Sequence, residues 1–196
     1  MICTIVLAAG ESKRMGKPKM LLPFRGSTIL ESVIRSVLET NCPNVLVVLG
    51  AESIRIQELL RNYPVLTVYN PNYSQGMLSS VQTGFAALPS EARSVLIVLG
   101  DQPGIPGPVF ESVMAASQIN PDSIVLPVHQ GRRGHPVMIP AQYRSEIATL
   151  SPTIGLRQLL QRHPDSVLEL GVESPEILQD IDDPKAYQDA LSKKES

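Results

Sequence analysis

Ile2-Cys3-Thr4-Ile5-Val6-Leu7-Ala8-Ala9-Gly10-Glu11-Ser12-Lys13-Arg14-Met15-Gly16-Lys17-Pro18-Lys19 sets a short apolar run directly before a glycine-punctuated cationic loop. Residues 2–9 are partly β-branched and without charge, as expected of a strand buried on both faces of a parallel sheet, and Gly10 ends it. The loop behind it is expected to expose backbone N–H groups. Gly10 and Gly16 permit the positive φ angles and close ligand approach that a Cβ blocks, while Arg14 and Lys19 add fixed positive charge for a polyphosphate. Together these features predict a pocket for a nucleoside triphosphate. Two standard phosphate loops are excluded, because Lys17 and Lys19 follow Gly16 without the spacing of G-x-x-x-x-G-K-[ST], and no G-x-G-x-x-G is present.

Outward from that stretch, strand-like runs at 45–49, 66–69, 95–99, 124–127 and 136–139 alternate with amphipathic segments. The order predicts right-handed βαβ units. Helices are expected at 28–39, capped by Ser27-Thr28, around Ile54 to Leu60, and at 76–88, 106–118, 141–148, 153–162 and 186–191. The fold class is therefore α/β: a single-domain, Rossmann-like, three-layer α/β/α sandwich on a mostly parallel sheet. Residues 1–191 form the domain and 192–196 a polar tail. With 196 residues, 43% of them apolar, there is ample material for one core.

A formal net charge of −2 argues against a nucleic-acid or anionic-membrane surface, so the basic loop is read as a small-anion site. Cys3 and Cys42 are the only cysteines, too few for a disulfide framework or a cysteine metal site, and Cys3 reads as core. No run approaches about 18 apolar residues, and a cytoplasmic protein is expected.

Ligands of open parallel sheets collect beyond the carboxyl ends of the strands. The run 95–99 leads there into Gly100-Asp101-Gln102-Pro103, whose exposed carboxylate suits a hard divalent cation facing a triphosphate; capping the following helix is the plainer role for Asp101. Asp180-Ile181-Asp182-Asp183-Pro184 is a second acidic cluster, also readable as a helix start. Asn70 to Ser80 is turn-rich and opens a helix at Gly76, where Ser79 and Ser80 offer hydroxyls; a capped helix with Met77 in the core is the alternative. Gly131-Arg132-Arg133-Gly134-His135-Pro136-Val137 is a glycine-flanked basic turn that suits a second phosphate or forms a hairpin tip with solvated arginines. His129 and His163 have no nucleophile motif beside them and read as surface residues.

L-A-A-G-x-S-x-R-M-G-x-P-K closely resembles the signature of the MobA-like nucleotidyltransferases, the family that includes the molybdenum cofactor cytidylyltransferases and their guanylyltransferase relatives. The resemblance implies that Leu7, Ala8, Ala9, Gly10, Gly16 and Lys19, with Gly76, Ser79 and Ser80 for base and ribose, bind the nucleotide. It makes Arg14, Lys19 and Asp101 catalytic, and Asp101 with Asp182 the ligands of Mg²⁺, although Asp183 stands where the family's D-x-D-T-P segment carries threonine. G-D-Q-P and R-G-H-P imply an acceptor side at Gln102, Arg133, Gly134, His135 and Pro136. The implied reaction joins CMP from CTP to a molybdopterin-type phosphate with release of pyrophosphate, since Ala9 occupies a place where guanylyl relatives carry glycine. A molybdoenzyme or its chaperone is the implied recipient of the product. A guanylyltransferase, a sugar-phosphate nucleotidyltransferase, and a non-catalytic nucleotide- or cofactor-binding chaperone remain alternatives.

Overall fold

The computed structural model describes residues 1–41 and 44–192, so Cys42 and the last four residues of the expected tail lie outside the described residues. In chain order the elements are β1 (Ile2–Ala8), β2 (Pro23–Phe24), β3 (Ser27–Thr28), α1 (Ile29–Leu38), β4 (Val45–Leu49), α2 (Ser53–Leu59), β5 (Leu66–Tyr69), α3 (Met77–Ala86), β6 (Ser94–Leu99), α4 (Gly107–Ile119), β7 (Ile124–His129), β8 (Arg132–Arg133), β9 (Val137–Pro140), α5 (Arg144–Ile147), α6 (Arg157–Arg162), β10 (Val167–Gly171) and α7 (Pro184–Ser192). The main sheet runs β10-β7-β9-β6-β1-β4-β5, with β8 paired to β7. β9 is antiparallel to β6 and to β7, and β8 is antiparallel to β7, whereas the pairs β10–β7, β6–β1, β1–β4 and β4–β5 are parallel.

Period-2 alternation splits each central strand between two apolar layers. Val6, Val47, Leu96 and Val98 pack with Leu30, Ile34, Val37, Ile56, Phe110 and Val113 of α1, α2 and α4. Ile5, Leu7, Val48, Val95 and Ile97 pack with Val81, Phe85, Ile147 and Leu159 of α3, α5 and α6. The sheet is thus covered on both faces, and the three-layer expectation holds. Cys3 belongs to the second layer. Truncating Phe85 or Phe110, each 1% exposed, to alanine would cost about 3–5 kcal/mol.

Helix α1 starts where its cap dictates. Thr28 Oγ1 accepts from Glu31 N, and Glu31 Oε2 accepts from Thr28 N, a reciprocal pairing that satisfies two of the otherwise orphaned helix-start donors. The expected helix at 153–162 is shorter, beginning at Arg157, because Gly155 takes φ +73° and interrupts the turn before it. The expected helix at 141–148 is a 3₁₀ turn at Ala141–Tyr143 followed by the single turn of α5. Strand β10 has no counterpart in the sequence reading. It is a half-exposed edge strand containing Glu169 and lacks the continuous apolar run of its neighbours. Ser192 ends α7 rather than beginning a tail. Among the described residues, no helix is long and apolar enough to cross a membrane.

Candidate active site

Strands β1 and β6 are adjacent and in register through Leu7 and Leu99, so their carboxyl ends open side by side. Gly100 N donates to Leu7 O at 3.0 Å, and a Cβ on Gly100 would stand 2.8 Å from that same oxygen. Glycine here lets the turn after β6 lie against the end of β1, which sets Asp101 beside the loop that follows β1.

That loop folds back on itself through Ser12. Its residue has φ +54°, its carbonyl accepts from Met15 N and Gly16 N, and its Oγ accepts from Lys19 N at 3.1 Å. Gly16 takes φ +67°, as the loop reading requires, but Gly10 does not have a positive φ; Ser12 holds that conformation instead. The result carries Lys19 inward. Lys19 Nζ donates to Asp101 Oδ2 at 2.5 Å and to Asp182 Oδ1 at 2.8 Å, while Arg14 Nη2 donates to Asp182 Oδ2 at 2.7 Å. Four residues expected to act together, from three distant parts of the chain, therefore meet at the carboxyl ends of β1 and β6. Asp101 does not cap α4, whose N-cap is Pro106.

Burial works against the Lys19 charge, but the carboxylates of Asp101 and Asp182 outweigh it and raise its pKa above the ordinary lysine value. Burial pushes the Asp101 carboxyl up, against the pull of Lys19 and with added push from Asp180 and Asp182. Asp182, more open, is held below the usual carboxylate range: its partial burial is overcome by Lys19 and Arg14. Lys19 is accordingly an ammonium and Asp182 a carboxylate near neutrality.

The segment carrying Asp182 is fixed by the turn carrying Asp101. Ile181 N donates to Asp101 O at 2.9 Å, and Gln102 Nε2 donates to Asp180 Oδ1 at 2.6 Å and to Ile177 O at 3.3 Å. Gln102, expected on the acceptor side, is 3% exposed and ties these two loops together instead. Asp183 is the helix-start residue of the acidic cluster, its Oδ1 accepting from Ala186 N at 2.8 Å.

The remaining expected site residues divide. Leu7, Ala8 and Ala9 have buried side chains, so what they offer a nucleotide is backbone. Gly76, at φ +103°, opens α3, but the Ser79 and Ser80 hydroxyls are buried and each accepts from Asn70 Nδ2, at 2.8 and 3.0 Å. Met77 is 55% exposed rather than in the core. Gly134 and His135 lie against Ile177: His135 N donates to Ile177 O, and a Cβ on Gly134 would meet that oxygen at 2.5 Å. Pro136 is buried next to His135. Burial lowers the His135 imidazole to about 4, against the opposing pull of Asp101, so it is neutral at pH 7. Arg133 is not brought to the centre. It sits on β8 in an exposed pair with Glu169 Oε1 at 2.7 Å. The β7–β8 turn is Gln130-Gly131, with φ +48° and +74°, the geometry of a tight two-residue hairpin.

Ser12 and Asp180 were not identified as site residues from the sequence. Ser12 stands inside the motif, and its signal was the loop's need for a third fixed point. Asp180 had only its place in the acidic run.

The donor set suits Mg²⁺. Two carboxylates already converge on one cation, the Lys19 ammonium, and Mg²⁺ takes one or two carboxylates and completes its shell with phosphate oxygens and water. No group of three His, Cys, Asp or Glu side chains stands together among the described residues, so two carboxylates are what these residues offer a metal, with phosphate oxygens and water to fill the rest of the shell.

Comparison with known proteins gives four results. The MobA-like NTP transferase domain family matches residues 4–167. The chain is 31% identical over 184 residues to molybdenum cofactor cytidylyltransferase from Escherichia coli, covering 93% of this chain and 92% of that one. It is 34% identical over 175 residues to nicotine blue oxidoreductase from Paenarthrobacter nicotinovorans, covering 82% of this chain and 81% of the other. The fold matches the crystal structure of Rv0371c from Mycobacterium tuberculosis with a TM-score of 0.86 and 25% identity, over 98% of each chain.

Proposed function

Because the chain belongs to the MobA-like NTP transferase family, we propose that this nucleotidyltransferase moves CMP from CTP to the terminal phosphate of molybdopterin in a Mg²⁺-dependent reaction. The products are molybdopterin cytosine dinucleotide and pyrophosphate. The observation that most supports the reading is the convergence of Arg14 and Lys19 on Asp101 and Asp182, which are the two cations and two carboxylates that polyphosphate transfer requires.

An oxygen of the acceptor phosphate attacks the α-phosphorus of CTP. A new phosphoanhydride bond forms as the bond to the bridging oxygen of the β-phosphate breaks, and pyrophosphate leaves with that electron pair. The acceptor oxygen is already anionic near neutrality, so no side chain has to remove a proton, and positioning with charge neutralisation supplies the acceleration. Arg14 and Lys19 neutralise charge on the α-phosphate and the departing pyrophosphate. Asp101 and Asp182 would hold Mg²⁺, which, when bound, aligns the triphosphate and screens its charge. Gln102 keeps the two carboxylates in register through Asp180 and Ile177. Neutral His135, with Gly134 and Pro136, forms the acceptor flank. CTP is preferred over GTP on the resemblance alone, Ala9 standing where the guanylyl relatives carry glycine.

The relative from Paenarthrobacter nicotinovorans carries a second reading, an oxidoreductase. Paired carboxylates beside Arg14 and Lys19 favour the transferase, because hydride transfer has no use for a metal–polyphosphate centre. Mg²⁺-dependent pyrophosphate release from CTP, GTP, ATP or UTP in the presence of molybdopterin decides between them. Release selective for CTP supports the proposal, selectivity for another nucleotide replaces the base assignment, and no release with any of them removes the transfer reaction.

A further inference from the structure

Lys19 is placed oddly for a residue that serves a bound triphosphate. Its ammonium bridges Asp101 Oδ2 and Asp182 Oδ1, the position that a metal bonded to both carboxylates would occupy. The side chain is 9% exposed, and Arg14 covers the remaining Asp182 oxygen.

We propose that Lys19 is the resident counter-ion of the centre, and that a divalent cation engages Asp101 and Asp182 together only after the Lys19 ammonium leaves them for an incoming polyphosphate. The inference rests on the polyphosphate reading of the site. Its physical basis is exclusion. Mg²⁺ binds oxygen at about 2.0–2.1 Å. An ion at that distance from both carboxylate oxygens would share their lone pairs with an ammonium at 2.5 and 2.8 Å, and two like charges would stand in direct contact.

Lys19 has little freedom to withdraw alone. Its backbone N–H is held by Ser12 Oγ and its stem is buried, so leaving the carboxylates strands a charge out of water unless another anion meets it. A triphosphate seated on the loop of residues 10–19 is that anion. Metal and nucleotide affinity are then coupled, each raising the other by the same factor. The apo centre is charge-balanced by its own cations and holds divalent metal weakly; the nucleotide unlocks it by taking Lys19.

Titration of Mn²⁺ into nucleotide-free protein, with free Mn²⁺ read by electron paramagnetic resonance, tests this without turnover. Lys19→Met should bind Mn²⁺ on the order of tenfold more tightly than the parent, within the usual range of site coupling. Adding Asp101→Asn to that variant should abolish the gain. Equal or weaker Mn²⁺ binding by folded Lys19→Met overturns the inference. The parent protein supplies a second readout that does not depend on a variant folding: Mg²⁺ alone should leave the Lys19 ¹⁵Nζ resonance in place, Mg²⁺ together with CTP should remove its hydrogen-bonded signature, and a resonance that shifts with Mg²⁺ alone or stays put with both overturns the inference equally. Pyrophosphate release by the parent is read separately. Its absence removes the transferase while leaving the counter-ion result standing, and normal release with unchanged Mn²⁺ affinity in Lys19→Met removes only the counter-ion.

Discussion

The loop at residues 10–19 and the hairpin at residues 129–134 both set basic side chains between glycines at the carboxyl end of a strand, yet their cations meet different surroundings. Lys19 is buried on carboxylates 82 and 163 residues away, with Arg14 beside it, whereas Arg133 pairs with Glu169 where both are about half exposed. A glycine-flanked basic turn is therefore an incomplete sign of an anion site. What separates the two is whether the fold brings buried carboxylates to the cation: the Asp101 and Asp182 side chains are 15% and 27% exposed, that of Glu169 48%. The hairpin matters at its root, where Gly134 and His135 abut the segment that carries Asp182.

The comparison breaks most visibly at Asp101. Asp101→Asn should lower the rate of pyrophosphate release on the order of 10³-fold while leaving the protein folded, which steady-state kinetics beside a thermal melt would check. A residual rate within a few-fold of the parent would dissolve the distinction between the loops.

His135 sharpens it through pH. Its folded value of about 4 lies below the ordinary 6.5, so between those values the unfolded chain binds the extra proton. The stability it contributes is complete above pH 6.5 and drains as pH falls toward 4. Urea unfolding should show the parent losing about 2 kcal/mol more between pH 7 and pH 5 than His135→Gln does. Equal losses in the two proteins would place the imidazole in solvent and detach it from the centre.

Gly134→Ala probes the root directly. A Cβ there meets the Ile177 carbonyl at 2.5 Å and Ile177 Cγ1 at 2.8 Å, and neither can step aside without shifting the strip that leads to Asp182. Stability should fall by about 1–3 kcal/mol, and kcat should fall with it. The smallest effect belongs to the hairpin tip: Arg133→Ala should change stability by less than about 1 kcal/mol, because exposed ion pairs contribute little. A large rise in KM for the acceptor in that variant, with kcat unchanged, would restore Arg133 to the acceptor side and narrow the contrast drawn above.

Strands that are buried on both faces announce themselves. β1, β4 and β6 are short apolar runs whose residues alternate between two layers, and each was legible. So was α1, through the Ser27-Thr28 cap and its apolar stripe, although the reciprocal part of Glu31 was not. β10 was hidden because an edge strand need satisfy only one neighbour, and its Glu169 breaks the apolar run. The antiparallel sense of β9 was invisible for another reason: its direction is set by the tight turn at Gln130-Gly131 and by pairing with β6 on its far side, not by its composition. At the site, the sequence identifies Arg14, Lys19, Asp101 and Asp182 but not the ammonium's place between the carboxylates. That depends on Ser12 folding the loop and on Gly100 admitting β6 against β1. Ser79 and Ser80 show the reverse case, hydroxyls readable as ligand contacts that the buried amide of Asn70 engages.

The contact between Lys19 and Asp182 closes a loop of 163 residues. Closing so long a loop is entropically expensive before the sheet exists to hold its ends together, so the pair is expected to form on the far side of the folding barrier. Its energy then resides in the unfolding rate: weakening Asp182 should steepen loss of the native state without slowing its recovery, a pattern a chevron plot would display. The centre that performs the chemistry is, in kinetic terms, a clasp fastened after the garment is on.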